Sequence, residues 1–272
     1  GIVFILLPSN LKLSVIYSLD NINCISEIVS NKDVHSNSGN LHSNSGNLQS
    51  GDKYIIITFD DGWKSQYDAY ERLKQLNFKA TLYICSSLID KEDRLTLENI
   101  EEMYDGGWDV CNHTVHHTNL TEVSEKKAYE EVYGCSAWIY GHGFTRHKGY
   151  KHFAYPEGAY DDNIIKMLEK QGFMTARTTI PGSNTTKVLE LGRASLYGMS
   201  KKNIRDLVLS DQEIVIISLH RMIPDDAKEV TELDLKESYF DELIHSIADS
   251  KRQVITMTEW YELNGQDIDK VI

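Results

Sequence analysis

Cysteine, positive charge and long apolar runs are all scarce in this chain, and each shortage closes off a class of protein. The four cysteines, Cys24, Cys85, Cys111 and Cys135, are too few in 272 residues for a disulfide scaffold. No two form a Cys-x-x-Cys pair, the spacing of a thiolate zinc site or a redox centre. Cysteine use therefore leaves the redox compartment open. Lysine and arginine total 28 against 41 aspartates and glutamates, a formal charge of -13. Such a surface repels phosphate backbones and anionic membrane faces, which argues against nucleic acid as a partner. The apolar run at residues 2–7 ends at Pro8 and falls far short of the roughly 20 apolar residues that a membrane span needs. It reads equally well as a buried strand and as the tail of a signal or anchor segment. What is present is ordinary globular usage, 41% hydrophobic and 25% charged, in a chain long enough for one large domain or two small ones.

The heptapeptide His-Ser-Asn-Ser-Gly-Asn-Leu occurs twice in tandem, at 35–41 and 42–48, within a Ser/Asn/Gly-rich stretch from 31 to 51. That composition is a flexible linker, and its histidines, His35 and His42, read as solvated rather than metal-binding. Residues 1–51 are thus an N-terminal apolar segment plus linker, and 52–272 the folded domain. Within the domain, apolar or β-branched runs at 54–59, 80–85, 108–112, 152–155, 174–177, 213–219 and 253–257 alternate with helical patterns. The helical patterns fall at 64–77, 96–104, 124–140, 161–172 and 234–251. Ser124 opens its helix without a capping box, because the third helical position is Lys127, and Asp161 caps the next helix. Seven strands alternating with helices predict a barrel-like α/β domain with its chemistry at the carboxyl ends of the strands.

Four strand ends carry reactive side chains. The run 54–59 leads into Asp60-Asp61-Gly62-Trp63, two adjacent carboxylates at what is, read alone, only a turn signal. After 108–112 come His113 and His117. Their i, i+4 spacing on a helical turn would set both imidazoles on one face, as a divalent metal with N/O ligands requires. Asp61 can supply a third ligand and leave positions open for water and substrate, the pattern of a catalytic rather than a structural zinc site. Histidines at this spacing are more commonly plain surface or core residues, so the pair gains force only with its neighbours. Residues 153–158 feed a strand into a Pro/Gly turn and read alone as a rigid loop. His220, at the end of the run 213–219, reads alone as a satisfied structural histidine.

Taken in order, these segments resemble the polysaccharide deacetylase family, the carbohydrate esterases with the NodB homology domain, over roughly residues 52–260. Thr58-Phe59-Asp60-Asp61-Gly62 is similar to the first family motif, and Asn112-His113-Thr114-Val115-His116-His117 to its His-(Ser/Thr)-x-x-His motif. Phe153-Ala154-Tyr155-Pro156 with Gly158 resembles the third motif as written in the branch acting on poly-N-acetylglucosamine. Ala176-Arg177-Thr178-Thr179 and Leu219-His220 stand at the places of the fourth and fifth. The resemblance implies a distorted (β/α)7 barrel and a hydrolase of linear amides that removes N-acetyl groups from a β-linked N-acetylglucosamine polysaccharide or oligosaccharide. It implies that Asp61, His113 and His117 hold a divalent metal, usually Zn2+ with Co2+ or Ni2+ as alternatives. Asp60 is then the general base, and His220 protonates the leaving amine. The metal and the backbone N–H of Glu157 would stabilise the oxyanion, Tyr155 belongs to the same substrate-binding motif, and Leu219 lines the acetyl-methyl pocket.

Two positions depart from the family pattern. Where many members carry an arginine that orients the base, this chain has Ala154, and Arg177 is the candidate replacement, against the alternative of a structural surface arginine. Glu157 stands where relatives usually have an aromatic. It is expected either to meet the cationic amine of a partly deacetylated chain or simply to face solvent. Trp63 is the candidate platform for a sugar face, with core packing as the common alternative. Cys85 and Cys111 are expected as buried free thiols, a disulfide between them being the other option. Competing readings keep the fold and move the substrate to peptidoglycan, acetyl-xylan or a small cyclic amide, or make the protein a non-catalytic carbohydrate-binding pseudoenzyme. Intact Asp60 and His220 argue against the last. The apolar start and the linker suit a secreted or surface-tethered domain, so the expected location is extracellular or at the cell surface.

Overall fold

Short parallel strands covered by helices must bury both faces, and seven of them do so here by closing into a ring. The computed structural model describes residues 52–182 and 186–268. The expectations for residues 1–51, including His35, His42 and Cys24, lie outside the described residues. The ring consists of β1 (Tyr54–Asp60), β2 (Thr81–Ile84), β3 (Asp109–Asn112), β4 (His152–Ala154), β5 (Thr175–Pro181), β6 (Leu191–Ser195) and β7 (Ile214–Leu219). All pair in parallel in chain order, and β1 also pairs with β7, from Tyr54↔Ile214 to Phe59↔Leu219, which closes the barrel. The helices are α1 (Ser65–Gln75), α2 (Leu97–Asp105), α3 (Glu125–Gly141), α4 (Asp162–Lys170), α5 (Lys201–Val208), α6 (Glu237–Asp249) and α7 (Met257–Ile268). No helix among the described residues is long and apolar enough to cross a membrane.

The period-two alternation of strand side chains divides the core into two compartments. On β1, Ile55, Ile57 and Phe59 fall in one cluster with Ala69, Tyr70 and Leu73 of α1 and Phe240 of α6, between barrel and helices. Tyr54 and Ile56 fall in another, with Leu191, Ile214, Ile216 and Trp260, inside the barrel. The amino-terminal end of the lumen is plugged by α7, whose first residue, Met257, donates its N–H to Thr81 Oγ1 at 2.9 Å, while Thr258 Oγ1 donates to Asp109 at 2.6 Å. Polar residues are left for the carboxyl end.

The helix starts follow local chemistry. Thr96 and Asn99 form a reciprocal capping box, Ser124 accepts from Lys127 N without a returning bond, and Asp161 accepts from Asn163 N and Ile164 N.

Three expectations are corrected. The seventh stave is β6, not the run 253–257. Only Gln253–Val254 is extended there, as the short strand β10, which pairs with Tyr54 and Ile55 at the amino-terminal end of β1 before Met257 starts α7. Residues 234–236 do not open a helix. They form β9 (Asp234–Lys236), which pairs with β8 (Arg221–Ile223), and α6 begins at Glu237. Asp234 is committed to this pairing, accepting from Arg221 Nε at 2.8 Å and from Thr231. Finally, residues 113–117 are not a helical turn but a loop, in which Thr114 (φ 70°) and His117 (φ 58°) take left-handed conformations.

Candidate metal and catalytic site

β1 delivers Asp60 to the carboxyl-end mouth of the lumen, and the chain then turns through two left-handed residues, Asp61 (φ 73°) and Gly62 (φ 72°). The turn is anchored by Asp61 N–H donating to Tyr83 O at 2.9 Å. Such a conformation costs a non-glycine residue free energy, and it persists where the surroundings hold it. Here it separates the two carboxylates. Asp61 Oδ1 lies 3.3 Å from His113 Nε2 and 3.4 Å from His117 Nε2, and Trp63 Nε1 donates to Oδ2 at 3.0 Å.

The histidine loop is held from α3. Asn112 donates to Val132 O and Ser136 Oγ and accepts from Thr114 N. Glu131, its side chain wholly buried, accepts from His116 N and from the His116 ring at 2.9 Å each, and its carbonyl accepts from Val115 N. The loop thus achieves by specific bonds the convergence expected of a helical turn.

His113 Nδ1 lies 2.8 Å from Ala154 O. A carbonyl can only accept, so Nδ1 carries the proton and Nε2 presents its lone pair toward Asp61. A lone pair, a second imidazole Nε2 and a buried carboxylate oxygen with no hydrogen-bond partner therefore face one another, with their ligand atoms within 4.8 Å. The donors are those of a divalent site with open positions. Asp61, His113 and His117 thus fit a metal. Burial opposes ionisation of Asp61, but the imidazoles around it, His113 first and then His220 and His117, outweigh it and hold the carboxyl well below the usual range. Burial likewise opposes charge on His113, yet Asp61 and Asp60 raise its pKa. Burial, then the charge of His113, lowers that of His117.

Asp60 sits in a separate set. Arg177, from β5, places Nη2 at 2.5 Å from Asp60 Oδ2, Ser218 Oγ of β7 donates to the same oxygen at 3.2 Å, and His220 Nε2 lies 3.5 Å away. Burial pushes the Asp60 carboxyl up, but Arg177 first, then His220 and His113, bring it below the ordinary value. Its other oxygen, Oδ1, is buried and has no partner among the described residues. Burial also depresses the pKa of His220. Gln66 of α1 ties the two strand ends together, donating to Asp60 O and, at 2.9 Å, to His220 O. Arg177 is a buried lumenal residue, not a surface one.

The remaining sequence candidates are placed differently. Tyr155 is buried in the cluster under α4, its hydroxyl donating to Leu189 O at 3.0 Å and its ring stacked on Tyr160, so its side chain does not reach a substrate. Leu219 pairs with Phe59 and, like it, belongs to the outer core, because alternation gives the lumen to Ser218 and His220 instead. The ring of Trp63 is covered by guanidinium groups, Arg94 at 3.4 Å and Arg221 at 4.9 Å from the centroid, so it supports Asp61 rather than standing open to a sugar. Glu157 lies in a turn with φ 58° and is exposed, accepting from Asn119 Nδ2 at 3.1 Å. Gly158 must remain glycine, since φ is 71° and a Cβ would stand 2.1 Å from Thr179 Oγ1. Cys85, Cys111 and Cys135 are buried free thiols.

Gln66, Glu131 and Ser218 belong to the site and went unread in the sequence. None sits in a reactive pattern, and only barrel closure brings them to it.

A parallel α/β barrel whose strand ends gather a buried carboxylate–guanidinium pair and an Asp-His-His set able to hold a metal has, as a class, the parts of a barrel hydrolase. Comparison with known proteins narrows the class. Residues 47–176 match the profile described as polysaccharide deacetylase. YxkH of Bacillus subtilis (strain 168), named as a polysaccharide deacetylase, is 32% identical over 133 residues, 48% of this chain and 47% of that protein. The peptidoglycan-N-acetylmuramic acid deacetylase PdaA of the same strain is 23% identical over 126 residues, 46% of each. The chain thus spans about half the length of the curated relatives it matches. The structure of the peptidoglycan deacetylase PdaC from Bacillus subtilis superposes with a TM-score of 0.55 at 19% identity, over 82% of this chain and 97% of that one, which establishes the likeness of fold. Over residues 47–176, just under half of its length, the chain is thus similar to the polysaccharide deacetylase family.

Proposed function

We propose that this protein is a metal-dependent deacetylase that hydrolyses N-acetyl groups on a β-linked N-acetylglucosamine polymer, acting outside the cell or at its surface. The observation that carries the reading is the partition of Asp60 and Asp61 into two sets, one built for proton transfer and one for a cation. Peptidoglycan is supported equally with a simple glucosamine polymer, since two of the similar proteins are named for it.

Asp61, His113 and His117 would hold the ion, Zn2+ with Co2+ or Ni2+ as alternatives, which when bound polarises the acetamide carbonyl and acidifies water. Asp60 stays ionised beside Arg177 and offers its unpartnered Oδ1 to the proton of the attacking water. Arg177 and Ser218 fix the other oxygen, so the base cannot rotate away. His220 hands a proton to the leaving amine, and its position near Asp60 lets one proton pass between them. The N–H of Glu157 is the protein's donor to the developing oxyanion, and losing such a donor typically costs about 2.7–4 kcal/mol.

The test is acetate release from penta-N-acetylglucosamine and from polymeric peptidoglycan, before chelation, after it and after zinc is restored. The reading expects release that is lost and then recovered, and a fall of roughly 10²–10⁴-fold in Asp60→Asn. Release that survives complete metal removal would contradict it.

A further inference from the structure

The β1–β7 ladder ends at Phe59↔Leu219, so Asp60 and His220, which carry the proton transfers, lie just past its last rung. Asp60 has other holds. It pairs with Tyr83 of β2, and Arg177 and Ser218 fix its carboxylate. His220 stands between β7 and β8 with its ring 3.5 Å from Asp60 Oδ2, and the next residue, Arg221, already pairs with Asp234 of β9. What fixes the chain around His220 is the first turn of α1. Gln66 donates from one Nε2 to both Asp60 O and His220 O, and Ser65 Oγ accepts from Met222 N at 3.0 Å. The turn thus grips the chain at His220 and again two residues beyond it.

The orientation of the amide follows from its partners. Both are carbonyl oxygens, which only accept, so the NH2 group faces them and gives one hydrogen to each. Gln66 is wholly buried, and its Oε1 has no partner among the described residues. An enclosed acceptor without a partner costs free energy that a methionine of similar length would avoid. Packing therefore does not explain a glutamine here, whereas the bridge between the two strand ends does.

We propose that Gln66 is a positioning residue for the leaving-group step, using the anchored strand end of Asp60 to fix His220 where its imidazole meets the departing amine. The inference rests on the deacetylase reading and deepens it. In that step the C–N bond of the tetrahedral intermediate breaks and its electron pair goes to nitrogen. The nitrogen takes a proton from His220, replaced by the one that Asp60 drew from the attacking water, and the products are the amine and acetic acid. A phenolate leaves without a proton, so cleavage of an aryl ester needs the base but not the acid.

Turnover of penta-N-acetylglucosamine and of 4-nitrophenyl acetate by the zinc-loaded full chain tests this, in the wild type, Gln66→Met and Ser65→Ala. Gln66→Met keeps the length and loses the donor, so kcat on the pentamer should fall roughly 10²-fold, as when a reacting group is misplaced by about 1 Å, with KM and bound zinc unchanged. Ester turnover should fall far less, lowering the amide-to-ester ratio by about tenfold or more. Ser65→Ala should move the ratio the same way by a smaller factor. A ratio unchanged in Gln66→Met would overturn the proposal, because a glutamine that only supports the fold moves both rates together. If Gln66→Met does not fold, the ratio in Ser65→Ala decides. If the wild type cleaves no aryl ester, Gln66→Met is added to His220→Ala, where the proposal expects no further loss of pentamer turnover and a further loss overturns it. A wild type that releases acetate from neither the pentamer nor peptidoglycan fails the deacetylase reading and this inference with it, whereas an active wild type with an unmoved ratio fails the inference alone.

Discussion

Asp60 and Asp61 are adjacent in the chain, yet their neighbours give them separate tasks. Asp60 is buried against one guanidinium, and a buried charge that loses its partner is costly, about 3–5 kcal/mol. Arg177→Ala should therefore lower unfolding free energy by about that amount in urea titrations, and acetate release should fall with it while bound zinc is kept. Arg177→Lys restores the charge without the planar fork and should recover stability better than rate. A variant with wild-type stability and turnover would remove Arg177 from the account. At this scale the residues that the structure brings together at the mouth could be picked out in the sequence, since Asp60, Asp61, His113 and His220 follow apolar runs and His117 stands four residues after His113. Their supports could not. Gln66 and Ser218 are ordinary residues whose meaning comes from the strands beside them, and Leu219 and Tyr155 were assigned to substrate because a motif does not state which way each side chain points.

Elements place the histidines. The ligand loop has no helical turn of its own, and its shape comes from Glu131 on α3, which receives two hydrogen bonds from His116 through its side chain and one from Val115 through its carbonyl. Glu131→Ala should weaken zinc binding about 10–100-fold, the usual effect of removing a group that orients metal ligands, as read by competition with a chromophoric chelator. Glu131→Gln, which still accepts the His116 N–H, should sit between. Unchanged affinity in both would mean that the loop holds itself. A second test lies in the third motif. Gly158→Ala puts a side chain on a left-handed residue and against Thr179, and should cost about 1–3 kcal/mol of stability and displace the adjacent Glu157 N–H. A wild-type melting temperature and rate would contradict this. The strand pattern was legible where β-branched runs are long, as in β1 and β7. It failed at β6, because Leu-Gly-Arg-Ala-Ser has no β-branched residue and becomes a strand only by lying between β5 and β7. The run 253–257 looked more strand-like and supplied the missing seventh element, but α7 begins within it to close the barrel floor.

Over the whole molecule, closing the barrel buries groups that acid must charge. His152 of β4 is enclosed in the lumen, with Nδ1 on Thr175 Oγ1 at 2.9 Å, and burial, then the charge of His147, holds its pKa down to about 3. An unfolded chain protonates the same ring near 6.5, so between these values the unfolded state binds the extra proton. The contribution is complete above about pH 6.5 and is lost progressively as pH falls toward 3. Asp60, held below the ordinary carboxylate value, adds a loss of the same sign at still lower pH. Urea midpoints should therefore drop more between pH 7.5 and pH 5 in the wild type than in His152→Phe; equal drops would show that His152 is not the group responsible. The central claim is that Asp61, His113 and His117 hold one divalent ion on which deacetylation depends. The most direct measurement is zinc per chain by mass spectrometry, after equilibration with zinc and dialysis, for the wild type and His117→Ala. About one zinc in the wild type and a marked loss in the variant is the predicted result. A wild type that retains no metal, or a variant that retains as much, would contradict it.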